Sequence, residues 1–160
     1  MGRSVPVRVD IPAIGVHSGL MRLGLQDDGA MEVPPGAFPA GWYSGAPTPG
    51  ELGPAVLAGH VRWHGDAGVF ADLGSLRRGD EVRVSRADGS TAVFRVTGSG
   101  QFDKQAFPTE LVYGDIDHAG LRLITCSGLD RRRYRANLVV FAELTGRTPD
   151  RRPVRKPVGR

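Results

Sequence analysis

Val5, Val7, Val9 and Ile11 recur at every second position, the period of two that predicts a half-buried strand over Val5–Ile11. Pro6, which lacks a backbone donor, puts that strand at an edge or delays its start. Val16–Leu23 and Met31–Val33 are the next candidate strands, with Asp27-Asp28-Gly29 between them as a hairpin-type turn. Phe38–Pro54 is dense in Gly and Pro and reads as loop, with a short strand at Trp42 and Tyr43. Ala55–Ala58 (AVLA) is continuously apolar, the pattern of a strand covered on both faces. Val69–Leu76 predicts a helix of about two turns, and Arg77-Arg78-Gly79-Asp80 a turn into a strand at Glu81–Ser85. A second hairpin, through the Asp88-Gly89 pair, leads to Thr91–Thr97. Phe102–Tyr113 is irregular, with Pro108-Thr109 able to start a helical turn. Leu121–Thr125 (LRLIT) predicts a strand ending at Cys126, and Asn137–Leu144 the last strand. Eight or so short strands with little helix predict a small closed or nearly closed β-barrel.

Composition narrows the picture. The 160 residues suit one domain, and 23 glycines with 12 prolines argue against a helical bundle. No apolar run approaches the roughly 18 residues that span a bilayer, and Met1–Val9 lacks a signal-peptide core. The sequence as it stands therefore reads as soluble, with any membrane anchor expected outside it. The net charge of +4 is misleading, because Gly146–Arg160 holds six basic residues and one acid, leaving 1–145 at −1. The expected organisation is one domain over 1–145 followed by a basic Pro/Arg tail over 146–160, which reads as a disordered extension. A near-neutral body without an aromatic stripe in a basic groove argues against a nucleic-acid partner.

A single cysteine, Cys126, excludes an intramolecular disulfide framework. A lone cysteine is ordinarily a small buried hydrophobe. Here, however, the apolar strand LRLIT delivers it to a Ser127-Gly128 turn, and AVLA likewise delivers His60 after the break at Gly59. Two reactive side-chain types thus end two apolar strands. Four arginines follow within Arg131–Arg135, at the approach to the last strand. Taken alone they are a solvated loop. Beside Cys126, one of them would offer a permanently charged fork of donors to an oxyanion. His60 and His64 have the i,i+4 spacing of a helical chelate, but Gly65 makes a loop the better reading and no carboxylate motif accompanies them, so no metal is expected. His17, His64 and His118 read as structural or exposed. Trp63 is either core or cleft wall, and Thr125 is a strand residue whose hydroxyl could face the cleft.

The words LITC (Leu123–Cys126) and AGH (Ala58–His60), with an arginine entering an apolar strand, resemble the sortases. IPAIGV at Ile11–Val16, GWY at Gly41–Tyr43, PGELGPAVLAGHV at Pro49–Val61 and FPTELVYG at Phe107–Gly114 strengthen the likeness, which spans roughly Val7–Leu144 and is nearest the actinobacterial class F or class E branch. The resemblance implies an all-β, eight-stranded sortase barrel with short helices and long loops. It implies cleavage of an LPxTG-like sorting signal between Thr and Gly through a thioester, then transfer to an amine of a cell-wall precursor or a pilin. By motif, Cys126 matches the nucleophile and His60 the general acid/base. Arg135 is the first choice for the arginine, with Arg133 and Arg131 open alternatives. Ser127 departs from the glycine that many relatives carry after the cysteine.

No cofactor is implied. Some sortases use calcium, but Asp72, Asp80, Glu81 and Asp88 are scattered over turns and form no cage by sequence. The same resemblance implies a monomer anchored on the outer face of the plasma membrane. An idle sortase-like peptide-binding barrel and a cysteine peptidase acting mainly as a hydrolase are the rival readings.

Overall fold

The computed structural model describes residues 1–130 and 133–148. Eight strands close into one barrel. In chain order the strands are β1 (Pro6–Ile11), β2 (Val16–Leu23), β3 (Ala40–Tyr43), β4 (Gly53–Ala58), β5 (Arg62–Trp63), β6 (Asp66–Ala67), β7 (Glu81–Arg86), β8 (Thr91–Asp103), β9 (Ala119–Asp130) and β10 (Arg133–Thr148). Around the barrel the order is β1-β2-β3-β4-β9-β10-β8-β7, while β5 and β6 form a separate small hairpin. Two neighbouring pairs are parallel, β2 with β3 and β4 with β9. A parallel pair needs a long crossover, so the short elements between β4 and β9 must travel round the barrel before the chain returns.

The sequence patterns sort into two cores. Val9, Ile11, Trp42, Leu57, Phe94, Leu121, Leu123 and Val140 fill the barrel. Val56, Val112, Ile124 and Val139 form a second cluster on the other face of β4, β9 and β10. This explains the unbroken AVLA run: Ala55 and Leu57 belong to the first cluster and Val56 to the second. The single α-helix among the described residues, α1 (Thr109–Tyr113), supplies Val112 to that outer cluster. Buried Arg122 on β9 ties α1 down: its guanidinium donates to the carbonyls of Val112 (3.3 Å) and Leu111 (3.5 Å) and lies 4.9 Å from the centre of the Phe141 ring. Burial draws its pKa down and the Glu143 carboxylate opposes that shift.

Several elements differ from expectation. The helix expected over Val69–Leu76 is only a 3-10 turn at Leu73–Ser75. The N–H groups of Leu73, Ser75 and Leu76 reach back three residues, to Phe70, Asp72 and Leu73, and not four, while Val69 and Phe70 are tied to the Ala37 and His60 carbonyls and Val69, Phe70, Leu73 and Leu76 all belong to the barrel core. The strand expected at Met31–Val33 reduces to an isolated bridge between Leu25 and Met31, although the turn between them forms as expected, with Gly29 at φ +85°. Strand β9 does not end at Cys126 but continues to Asp130, because β10 keeps offering partners. His64 (φ +48°) and Gly65 (φ +85°) form the two-residue turn of the β5–β6 hairpin, where both positions need the left-handed region.

Strand β10 also runs past the expected boundary at Thr145, pairing Gly146, Arg147 and Thr148 with Val93, Ala92 and Thr91 of β8. Residues 149–160, the rest of the basic tail, lie outside the described residues. Truncation after Thr148 is expected to leave the melting temperature within about a degree of the full chain. Truncation after Thr145 strips three rungs from the ladder and should lower it by several degrees, since each lost hydrogen bond is worth about 0.5–1.5 kcal/mol. Equal melting temperatures for the two truncations, measured calorimetrically, would show that the last rungs contribute nothing.

Candidate active site

The parallel pairing of β4 with β9 sets the site. Gly53 is level with Ala119 and Ala58 with Ile124, a constant offset of 66 positions. The Gly59 N–H donates to the Ile124 carbonyl (3.2 Å), so the alignment persists beyond the end of β4. His60 and Cys126 are separated by the same 66 positions. Both therefore lie two positions beyond the last paired rung, Ala58 with Ile124.

Across β9, Cys126 is paired with Asn137 of β10 and Ser127 with Ala136. The register is unbroken from Arg133, opposite Asp130, to Glu143, opposite Gly120. Residues two apart on a strand share a face, so Arg133, Arg135 and Asn137 lie on one row with Val139 and Phe141. Val139 and Phe141 belong to the outer cluster, as does Ile124. The parity that the apolar run Asn137–Phe141 leaves ambiguous is thus resolved: the odd-numbered row of β10 is on the outer face. Arg135 is exposed, one row position from Asn137, and Arg133 is two positions away. Arg131 lies outside the described residues.

His60 is half-buried and held from several sides. Its carbonyl accepts from the Phe70 N–H (3.1 Å), its Nε2 lies 2.6 Å from the Pro34 carbonyl oxygen, and its ring centre is 4.9 Å from that of Trp63. Trp63 also contacts the His64 ring, at 4.9 Å. His17 and His118 are occupied elsewhere. His17 meets Asp10 at 2.7 Å, and His118 sits between Asp117 (3.0 Å) and Glu143 (3.5 Å).

A cavity of about 290 Å³ opens at His60, with Asn137, Thr125, Lys104, Phe107 and Tyr113 among its walls. His60 and Lys104 are among its lining residues, and no carboxylate is among the described ones. Thr125 is only 4% exposed, and its Oγ1 has no hydrogen-bond partner among the described residues. A larger cavity of about 750 Å³, lined by Tyr43, Leu52, Gly53 and Ile116, shares Met31 and Tyr113 with the first. The two together follow β4 from Ala58 to Gly53, a run of roughly 17 Å at about 3.3 Å per residue. Burial, then the neighbouring Tyr43, pushes the Tyr113 phenol above its ordinary pKa, so this wall stays uncharged. Pro34 and Lys104 carry no motif that marks them in sequence; Tyr113 belongs to the FPTELVYG word and reaches the cavity from α1.

Comparison with known proteins follows the same lines. Residues 9–145 match the family model for the sortase domain. No curated protein sequence gives a significant match. The lid mutant of sortase A from Corynebacterium diphtheriae superposes with a TM-score of 0.71 at 22% identity, over 91% of this chain and 73% of that one. A sortase from Actinomyces oris gives 0.70 at 25% identity, over 92% and 84%. Sortase C from Streptococcus pneumoniae gives 0.67 at 20%, over 88% and 67%.

Gly68 tests how tightly His60 is seated. A Cβ there would collide with the carbonyl of His60, a backbone group that cannot swing aside. Gly68→Ala is expected to cost about 1–3 kcal/mol of stability and to displace His60. At Gly74 the nearest atom to an added Cβ is the Leu138 side chain at 3.6 Å, an ordinary contact. Gly74→Ala should therefore melt within about a degree of the parent, and equal melting of the two variants would remove the tight seat.

Proposed function

Because the chain belongs to the sortase family, we propose that this cysteine transpeptidase cleaves an LPxTG-like sorting signal between Thr and Gly and passes the acyl group to an amine. Sortases act at the cell-envelope surface, so the acceptor class is an amine of a cell-wall precursor or of a pilin. The motifs favour class F or class E, and the fold is shared with sortases of Corynebacterium and Actinomyces.

The observation that carries the site assignment is the common offset of 66 positions in the β4–β9 ladder and between His60 and Cys126. In this reading Cys126 attacks the Thr carbonyl carbon as a thiolate. His60, as imidazolium, gives a proton to the leaving glycine amine, and the thioester waits for the incoming amine. Arg135 donates to the oxyanion. Its place on the row of Asn137, opposite Cys126, supports it over Arg133, which lies about 6.6 Å further along the strand. The joined cavities along β4 are long enough for about five extended residues, and their apolar walls suit a Leu-Pro start.

Cys126→Ala is expected to fold normally and to release no product from a fluorescent sorting-signal peptide, with or without added amine. Turnover within about tenfold of the parent would refute the nucleophile. Arg135→Ala and Arg135→Lys should each lower kcat by about 10²–10³, lysine rescuing little because it lacks the planar fork. Arg131→Ala and Arg132→Ala should stay within a few-fold. Normal turnover in Arg135→Ala beside a dead Arg133→Ala would transfer the role to Arg133. Amine-dependent ligation separates a transpeptidase from an enzyme that only hydrolyses.

A further inference from the structure

We infer that the segment from Gly24 to Pro39 is a strap that holds His60 through the Pro34 carbonyl and so dictates which imidazole nitrogen exchanges protons. The inference rests on His60 being the acid/base group proposed above. Its foundation is one contact, His60 Nε2 to Pro34 oxygen at 2.6 Å, between groups 26 positions apart. A carbonyl oxygen only accepts, so Nε2 must carry a hydrogen in the neutral ring as well as in the imidazolium. The neutral form is then the Nε2–H tautomer, and Nδ1 is the nitrogen that gives and takes the proton. This is the logic by which the bond made by one ring nitrogen decides the state of the other.

The strap is built to keep that contact. Its first half closes on itself: Leu25 bridges Met31, the Glu32 N–H donates to the Gly24 carbonyl (2.9 Å), and the Gly24 N–H donates to the Glu32 carboxylate (2.8 Å). Its second half is tied at Ala37, whose carbonyl accepts from the Val69 N–H (2.9 Å). The next residue, Phe70, holds the His60 carbonyl, so one short stretch anchors both the strap and the histidine it restrains. Pro34 is buried and Pro35 follows it. Neither has an N–H to satisfy, and both have fixed φ, so the chain can press its carbonyl against the ring without stranding a donor. The Trp63 ring also packs against the imidazole.

The consequence for the reaction balances. As the Cys126 sulfur–carbon bond forms and the scissile carbon–nitrogen bond breaks, the leaving amine takes the Nδ1 proton and the ring becomes the neutral Nε2–H form. When the incoming amine attacks, it returns a proton to Nδ1 while the sulfur–carbon bond breaks. Throughout, the hydrogen on Nε2 stays with Pro34. The Pro34 carbonyl is a positioning group, acting only through His60.

Nitrogen-15 NMR of histidine-labelled protein tests this without any turnover, the His60 signals being assigned by their absence in His60→Gln. At a pH where the ring is neutral, a protonated Nε2 and a bare Nδ1 are expected; a protonated Nδ1 would overturn the inference. The double variant P34G/P35G leaves the barrel ladders untouched. It should show mixed tautomers and a kcat lowered about tenfold at nearly constant KM, roughly what one hydrogen bond supplies. Parent-like kcat with an unchanged tautomer in this variant would also overturn it. If the variant fails to fold, the tautomer of the parent protein still decides. Full turnover in His60→Gln would instead refute the acid/base reading, while the tautomer seen by NMR would still decide whether Nε2 donates to Pro34.

Discussion

The parallel ladder between β4 and β9 is the constraint on which the rest of this molecule depends. Parallel strands carry their carboxyl ends to the same side, and evenly spaced hydrogen bonds allow no sliding without the loss of every rung. A register of 66 positions aligns Gly53–Ala58 with Ala119–Ile124, and the same offset separates His60 from Cys126. The two strands sit side by side in the closed barrel, with β3 beyond one and β10 beyond the other. Both faces of the pair are covered, and neither strand is an edge. A paired backbone of this kind suits the positions proposed for the nucleophile and its proton partner.

Around this pair the outer face is covered by packing rather than by a second sheet. Phe102, Phe107, Tyr113 and Tyr43 form a chain of ring contacts with centres 6.0–6.4 Å apart, linking β8, α1 and β3. A five-residue helix is too short to be stable by its own hydrogen bonds. Arg122 and buried Val112 hold it in place, so the wall that Tyr113 gives both cavities is secured from β9 itself. The strap from Gly24 to Pro39 covers the opposite side and brings Met31, Val33 and Pro34 to the cavity. The rigid ladder supplies position, and the two loop covers supply shape.

The local chemistry departs from what stability alone would select. A buried threonine hydroxyl at position 125 lacks a hydrogen-bond partner among the described residues, at the wall of the cavity that His60 also lines. A buried hydroxyl left unpaired costs folding free energy. Such departures concentrate at functional sites, and this one stands apart from the AGH and LITC words as an observation of packing.

The one-dimensional pattern determined a good deal. Alternation in Val5–Ile11, the continuous AVLA run and the Asp88-Gly89 turn mark real elements, because a strand's period and a turn's φ preference are local properties. The words AGH and LITC likewise fall on the two strands that the parallel ladder sets side by side. Where non-local partners decide, the pattern misleads or falls silent. Val69–Leu76 has helical spacing, but its start is tied to Ala37 and His60 and its inner bonds reach back only three residues, and Cys126 ends no strand because Asn137 and its neighbours extend the ladder to Asp130. Nothing along Asn137–Phe141 tells which parity faces outward; only Val139 packing with Ile124 and Val56 decides it, and with it the row of Arg135. Pro34 reads as an ordinary loop proline. Its carbonyl finds His60 because the loop folds back across 26 positions, and no local signal encodes a contact whose two partners are joined only by closure of the barrel.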